Sequence, residues 1–188
     1  MAARKSPLPL KTTVTYLAME RPPAGHYPLP VNTQAALMRA RAIPLHFYRY
    51  LQHRTGGDYH WVYRLRLSDE ALSELVHAPK TSIDILYLDG APAGFFELAQ
   101  DDEGTVDLAY FGLMPHATGR GLGKWFLRQA IDAAWMLQPN RVTVNTCTLD
   151  HPAALSLYQK MGFAPVGQTE TFIHPLSDDD LLRLGRLS

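Results

Sequence analysis

The segment Pro115–Lys124, reading PHATGRGLGK, constrains this chain more than any other. It follows a strand-like run, Val106–Leu113, and precedes a pattern in which Leu122, Phe126, Ala130, Ala133 and Leu137 recur at helical spacing. Glycines at such a junction let the backbone bend and approach a ligand, and free N–H groups at the helix start attract an anion. The turn is therefore a phosphate-cradle candidate, although glycine-rich turns also open helices where no ligand binds. Two nucleotide loops fail on the letters. GxGxxG would need glycine at Lys124, and a Walker A loop ending in Gly123-Lys124 would need glycine at Thr118 and Ser or Thr at Trp125.

The rest of the chain supplies a sheet for this helix to cover. Ile83–Leu88 and Ala93–Leu98 flank Asp89-Gly90, a hairpin dipeptide, and the acidic turn Gln100–Gly104 leads into Val106–Leu113, which predicts a three-stranded antiparallel meander. Arg141–Thr148 is the next strand, Pro152–Met161 a helix stopped by Gly162, and Phe163–Ile173 closes the sheet. Upstream, Val14–Met19 is a strand candidate and Arg21–Pro30 a proline-rich loop. Asn32–Arg41, Leu45–His53 and Asp69–His77 read as helices, the last capped by Ser68. Asp178–Asp180 is the acidic start of a terminal helix. The fold class expected is α/β (α+β), with a mixed, mostly antiparallel sheet flanked by helices on both faces. A flexible segment over 1–13 precedes one domain over 14–188, which holds a motif-bearing core at about 80–168 and a helical acceptor-side region at about 31–78.

Composition narrows the function classes. In 188 residues, 46% hydrophobic content is enough for a sizeable core and excludes wholesale disorder. Lys plus Arg (18) equals Asp plus Glu (18), so no excess positive charge drives phosphate-backbone binding, and nucleic acid is not an expected partner. Cys147 is the single cysteine, which rules out an intrachain disulfide or a cysteine zinc cage and is most simply a buried, inert thiol. His46, His53 and His60 are seven apart, about 10.5 Å along a helix and too far for one shared metal ion, so no metal is expected. With no apolar signal region and no run of 18 apolar residues, the expectation is a cytoplasmic protein without a membrane partner.

At His116-Ala117-Thr118-Gly119-Arg120-Gly121 the chain resembles the pyrophosphate loop Q/R-x-x-G-x-G/A of the GNAT superfamily of acetyl-CoA-dependent N-acetyltransferases, with His116 at the first position. A second match follows: HPAALSLYQKMGF has His151, Ala154, Leu157, Tyr158, Gly162 and Phe163 at the spacings of the family's N-x-x-A-x-x-L-Y-x-x-x-G-F, with His151 in place of Asn. The resemblance implies acetyl-CoA as cosubstrate, held by Phe111, Leu113, His116, Thr118, Gly119, Arg120, Gly121, Leu122, Gly123, Lys124 and His151. It also implies transfer to an amine by direct attack in a ternary complex, and is compatible with a homodimer.

An alkyl ammonium with pKa near ~10 must lose a proton before it attacks, so a base is needed. Asp107, where several members of the family carry a glutamate, and Glu97 on the preceding strand are the candidates. The alternative for each is a solvent-facing strand carboxylate. A strand distortion at Gly112 would let Phe111 or a neighbour offer a backbone N–H to the oxyanion, and Tyr158 is nominated to protonate the departing thiolate. Trp61 and Tyr110 are the acceptor-side candidates, Trp61 within an aromatic-rich stretch between His46 and Tyr63 whose rings are expected in the main to fill core. They favour a small-molecule amine or an N-terminal amino group. A non-catalytic acyl-CoA-binding regulatory module, or an O-acyl or aminoacyl-type transferase, would share the same motifs.

Overall fold

Strand pairing organises the chain from Leu10 to Ile173, and the computed structural model describes residues 7–187. Its seven strands are β1 (Leu10–Met19), β2 (Ala35–Ala40), β3 (Thr81–Leu88), β4 (Ala91–Gln100), β5 (Thr105–Leu113), β6 (Arg141–Cys147) and β7 (Ala164–Ile173). They lie in one sheet in the order β2-β3-β4-β5-β6-β1-β7. Every pairing is antiparallel except β5 with β6. The helices are α1 (Leu45–Gly56), α2 (Tyr63–Arg66), α3 (Asp69–Val76), α4 (Leu122–Trp135), α5 (Ala154–Lys160) and α6 (Asp178–Leu187).

Two apolar cores sit on opposite faces of the sheet. Phe96, Leu98, Leu108, Val142 and Val144 pack with Phe126, Ala130 and Ile131 of α4 and Tyr158 of α5. On the other face Ile83, Ile85 and Phe95 pack with Tyr48 and Leu51 of α1 and Leu72 and Val76 of α3. The mixed sheet with helices on both faces is thus as expected. The hairpin turns at Asp89 and Gly90, with φ of 50° and 84°, the two left-handed positions that the dipeptide supplies. The Ser68 hydroxyl accepts from the Ala71 N–H at 3.2 Å and caps α3.

Two expectations are corrected. Asn32–Arg41, expected as a helix, contains β2, which pairs with β3 from Ala35 opposite Leu88 to Ala40 opposite Ile83. Ala, Leu, Met and Arg favour helix locally, but so short a run cannot hold a helix alone. Pairing with β3 buries Ala35 and Leu37 against the first core and brings the Arg39 Nε within 2.7 Å of Asp84. Leu10–Thr13, expected to belong to a flexible segment over 1–13, are instead part of β1, paired with β7. Residues 1–6 of that segment lie outside the described residues.

The second core is built around a charge. Glu97 of β4 is fully buried; its Oε1 accepts from Arg64 Nη2 of α2 at 2.8 Å and its Oε2 from the Tyr48 hydroxyl of α1 at 2.5 Å. Gln52 Nε2, one turn along α1, donates to the Tyr48 oxygen at 2.7 Å. Removing one partner of a buried ion pair strands the other's charge. Arg64→Met should therefore lower unfolding stability by about 3–5 kcal/mol, and Tyr48→Phe, which deletes one hydrogen bond, by about 1–3 kcal/mol. Urea unfolding would measure both; a neutral Arg64→Met would mean that Glu97 is held by other means.

Candidate active site

The parallel pair does not stay paired. β5 and β6 match from Thr105 opposite Arg141 to Leu108 opposite Val144, and there the ladder ends while both strands continue. The β6-facing edge of residues 109–113 consequently has no strand partner, and a gap between the two strands begins beyond Leu108 and Val144. The divergence coincides with a bulge. Leu98 of β4 pairs with Leu108 but Glu97 pairs with Tyr110, leaving Ala109 as the extra residue. Phe111 and Gly112 are themselves in regular register opposite Phe96 and Phe95, so the distortion expected at Gly112 lies at Ala109. Gly112 answers a different need: a Cβ there would sit 2.6 Å from Thr55 Cγ2 and 3.1 Å from Trp61 Cη2.

The bulge changes which residues share a face. Strand alternation would send positions 107 and 110 to opposite sides; one inserted residue returns them to the same side. Asp107, opposite Ala99, and Tyr110, opposite Glu97, therefore both lie on the α1 face, whereas Phe111 and Leu113 pack against the α4 core. Neither carboxylate candidate is simply solvent-facing. Glu97 is fully buried with both oxygens engaged. Asp107 is half-buried, its Oδ1 accepting from the Thr143 hydroxyl of β6 at 2.7 Å. It opens on a hollow of about 380 Å³ shared with Gln100, Thr105 and Arg141. Burial raises its carboxyl above the ordinary value, the Thr143 hydrogen bond opposing in part.

Tyr158 enters from the α4 side. Its ring packs edge-on to Phe111 and Phe163, with centroids 6.4 and 5.9 Å away. Burial, then the negative charges of Asp150 and Asp107, hold its phenol well above the ordinary value, so it stays protonated. The Tyr110 phenol is pushed up to about 12 by burial, with Arg64, whose guanidinium lies 5.6 Å from the ring centroid, opposing.

The glycine turn lies beyond the C-terminal end of β5. Gly119 and Gly121 have φ of 73° and 75°, and no side chain caps α4, which starts at Leu122. A Cβ on Gly119 would meet nothing within 4 Å, which leaves the turn open to a ligand. His116, Thr118, Arg120 and Lys124 are exposed around it, Arg120 pairing loosely with Asp89 at 3.8 Å. Leu122 is buried and Gly123 faces Leu157 of α5, so these two seat the helix. The shape and the unpaired N–H groups fit a pyrophosphate.

The aromatic stretch between His46 and Tyr63, expected in the main to fill core, does so only in part: Phe47 and Trp61 are partly buried against the second core, while His46, Tyr50, His53 and Tyr63 are exposed. Tyr48 is fully buried, and Trp61 packs on Phe95 and Tyr110 with centroids 6.3 and 5.2 Å away. Trp61 also borders a cleft of about 330 Å³ with His53, His60 and Pro175. Among the described residues no three His, Cys, Asp or Glu side chains are grouped to hold a metal ion. No helix of the described residues is long and apolar enough to cross a membrane. His151 is exposed beside Tyr59, ring centroids 6.1 Å apart. Sequence reasoning missed its neighbour Asp150, whose Oδ2 accepts from the Thr146 hydroxyl at 2.7 Å and the Cys147 N–H at 2.8 Å, and whose Oδ1 accepts from Trp61 Nε1 at 3.3 Å. Its one signal was its position just after a strand, where Asp commonly caps local backbone.

Comparison with known proteins agrees with this architecture. The chain matches the Acetyltransferase (GNAT) family over residues 45–163. It is 32% identical over 77 residues to an N-acetylaspartate synthetase of Danio rerio, a match covering 41% of this chain and 27% of that protein. Among solved structures, a putative GNAT acetyltransferase from Novosphingobium aromaticivorans aligns with 86% of this chain and 63% of its own (TM-score 0.57, 13% identity). A GCN5-related N-acetyltransferase from Kribbella flavida aligns with 87% of this chain and 58% of its own (TM-score 0.57, 16% identity). The chain thus spans about a quarter of the curated relative and about three-fifths of these two structures. With a family match across more than half its length, laid over the diverging strands and the glycine turn, the chain belongs to the GNAT acetyltransferase family.

Proposed function

We propose that the chain is an N-acetyltransferase that moves acetyl from acetyl-CoA to the primary amine of a small molecule or to an N-terminal amino group. What supports this reading is that an open glycine turn follows β5, that Tyr158 stays protonated and feels the charge of Asp107, and that the half-buried Asp107 lies one residue before β5 and β6 part. The match to a protein named N-acetylaspartate synthetase supports a small amine acceptor. Cys147 is unpaired, which accords with a cytoplasmic setting.

Bound acetyl-CoA supplies an acetyl group activated as a thioester. Gly119–Lys124 hold its pyrophosphate through backbone N–H groups, and the unpaired edge of residues 109–113 offers strand-like hydrogen bonds to its pantetheine arm. Asp107 takes one proton from the incoming ammonium; as the C–N bond then forms and the C–S bond breaks, the sulfur takes the Tyr158 proton and the nitrogen's second proton passes through water to the Tyr158 phenolate. Asp107 has the advantage that Thr143 occupies only Oδ1, leaving Oδ2 for the incoming ammonium. The raised pKa of its carboxyl narrows the gap to the amine's and makes it the stronger base. Glu97, saturated by Arg64 and Tyr48, serves structure instead.

Thiol release from acetyl-CoA across a panel of small amines and peptide N-termini tests the assignment. Tyr158→Phe should lower kcat about 100-fold while leaving CoA affinity within twofold, because only the proton donor is lost. If no amine releases thiol although calorimetry shows CoA binding, the chain is a binding module. Gly121→Glu places bulk and negative charge in the cradle and should weaken CoA binding about 100-fold with the fold intact by circular dichroism; unchanged affinity would move the pyrophosphate elsewhere.

Asp107 carries a pH signature. A carboxyl raised in the folded chain binds its proton more tightly there than when unfolded. Its stabilising contribution is present below the ordinary carboxyl value and is lost as pH rises through the raised one. Asp107→Asn, which imitates the protonated form, should melt at a higher temperature than the parent chain at neutral pH. The two should converge near pH ~3.5, below the ordinary carboxyl value. The same variant should lose about 100-fold in kcat/KM. Identical melting at both pH values would mean that the carboxyl is not perturbed.

A further inference from the structure

On the α1 face the Trp61 side chain spans the open end of the β5/β6 gap. The Trp61 indole touches β5 at its benzo edge, where Cη2 lies against Gly112, and reaches β6 at its pyrrole edge, where Nε1 donates to Asp150 Oδ1 at 3.3 Å. Asp150 is fixed to the end of β6 through its other oxygen, which accepts from Thr146 Oγ1 and Cys147 N. The indole rests on bare backbone at Gly56, where a Cβ would fall 2.1 Å from the ring, so its plane is set from below. Next to Asp150, His151 packs edge-on against Tyr59, two residues before Trp61.

We propose that Asp150 is a positioning residue that holds Trp61 as a bar over the pantetheine arm of CoA, leaving only the apex of the gap, beside Asp107, open to the acceptor amine. This rests on the acetyl-CoA reading above. Three observations carry it. The two arms joined by the indole are unpaired at that level, the last ladder pair being Leu108 with Val144. Asp150 spends one oxygen on its own strand and the other on the indole, an arrangement that sets the ring's place across the gap. At the other end of the gap Asp107 opens on its own hollow, on the same face as Trp61 and Tyr110. Acceptor and pantetheine arm are thereby separated along the gap, and the thioester is shielded from water except at its apex.

The test compares Trp61→Phe, which removes the indole N–H and keeps a ring, and Asp150→Asn, which keeps Oδ1 but loses the anchoring acceptor, singly and together in the full chain. Affinities are measured by calorimetry for CoA and for adenosine 3′,5′-bisphosphate, which has no pantetheine arm. Each single variant should weaken CoA about tenfold, leave the bisphosphate unchanged, raise thiol release in the absence of amine, and keep the acceptor KM within twofold. The double variant should be no weaker than the worse single one, since both break one link. Unchanged CoA affinity in both variants overturns the proposal. So does equal weakening of CoA and bisphosphate, which would reflect general loss of structure, or a rise confined to the acceptor KM, which would place Trp61 in the acceptor's own site. A parent chain that binds the bisphosphate but not CoA also defeats the bar. One that binds neither removes the acetyl-CoA reading on which the bar rests.

Discussion

A buried carboxylate governs the α1 face of this molecule. Glu97 lies mid-sheet with no exposure, and α1 and α2 each deliver one group to it, Tyr48 and Arg64. Desolvating such a pair costs several kcal/mol that attraction only partly offsets, so its worth lies less in stability than in fixing where two helices sit. An apolar patch could accept α1 and α2 in several orientations; two directional bonds to one carboxylate accept far fewer. Everything positioned by those helices inherits that constraint, including Gly56 beneath the indole, Trp61 itself, and the Arg64 guanidinium over Tyr110. The network is not fully satisfied, since Gln52 Oε1, Thr55 Oγ1 and Arg64 Nε are buried without a protein partner, which makes it sensitive to substitution.

The bulge at Ala109 does for the strands what Glu97 does for the helices. One unpaired residue puts Asp107 and Tyr110 on the same face, and it lies where β5 leaves β6. A regular β5 would have turned either the base candidate or the aromatic ring into the α4 core. Asp107 could not tolerate that core unpaired, so the face of the sheet to which it points is decided by the same irregularity that opens the gap.

How much of this was legible depended on whether a signal was local. The Asp89-Gly90 hairpin, α4 with its repeating apolar positions, the Ser68 cap and the glycine turn all depend on neighbours within a few residues, and each appears where the sequence places it. β2 does not, because its state is decided by an edge some fifty residues away that needed a partner, against the helical preference of Ala, Leu, Met and Arg. The bulge was anticipated on this strand but assigned to Gly112. That glycine is instead demanded by Trp61 and Thr55 pressing on it from α1 and its following loop, a contact that no local pattern records. Glu97 and Asp107 were both nominated, yet their difference in burial, one saturated and one half-open, exists only once α1 and α2 have docked. Asp150 carried the weakest signal because its contact with Trp61 joins residues 89 apart in sequence.

The gap, the bulge and the glycine turn all occur at the C-terminal end of the one parallel pair observed among the described strands, and a common cause links them. Antiparallel neighbours joined by tight turns are held together at their connected ends and have little freedom to part. A parallel pair requires a crossover, here α4, which leaves the end of β5, covers the sheet and returns the chain to the start of β6. The C-terminal ends of both strands are therefore free to diverge, and the start of the crossover helix lies next to the opening they create. A helix start uncapped by any side chain points its N–H groups at the same place. In open sheets of this kind ligands settle outside the carboxyl ends of parallel strands because backbone donors and an unfilled crevice are found there together. The single parallel step in an otherwise antiparallel sheet is thus what gives this fold somewhere to bind an elongated anionic ligand.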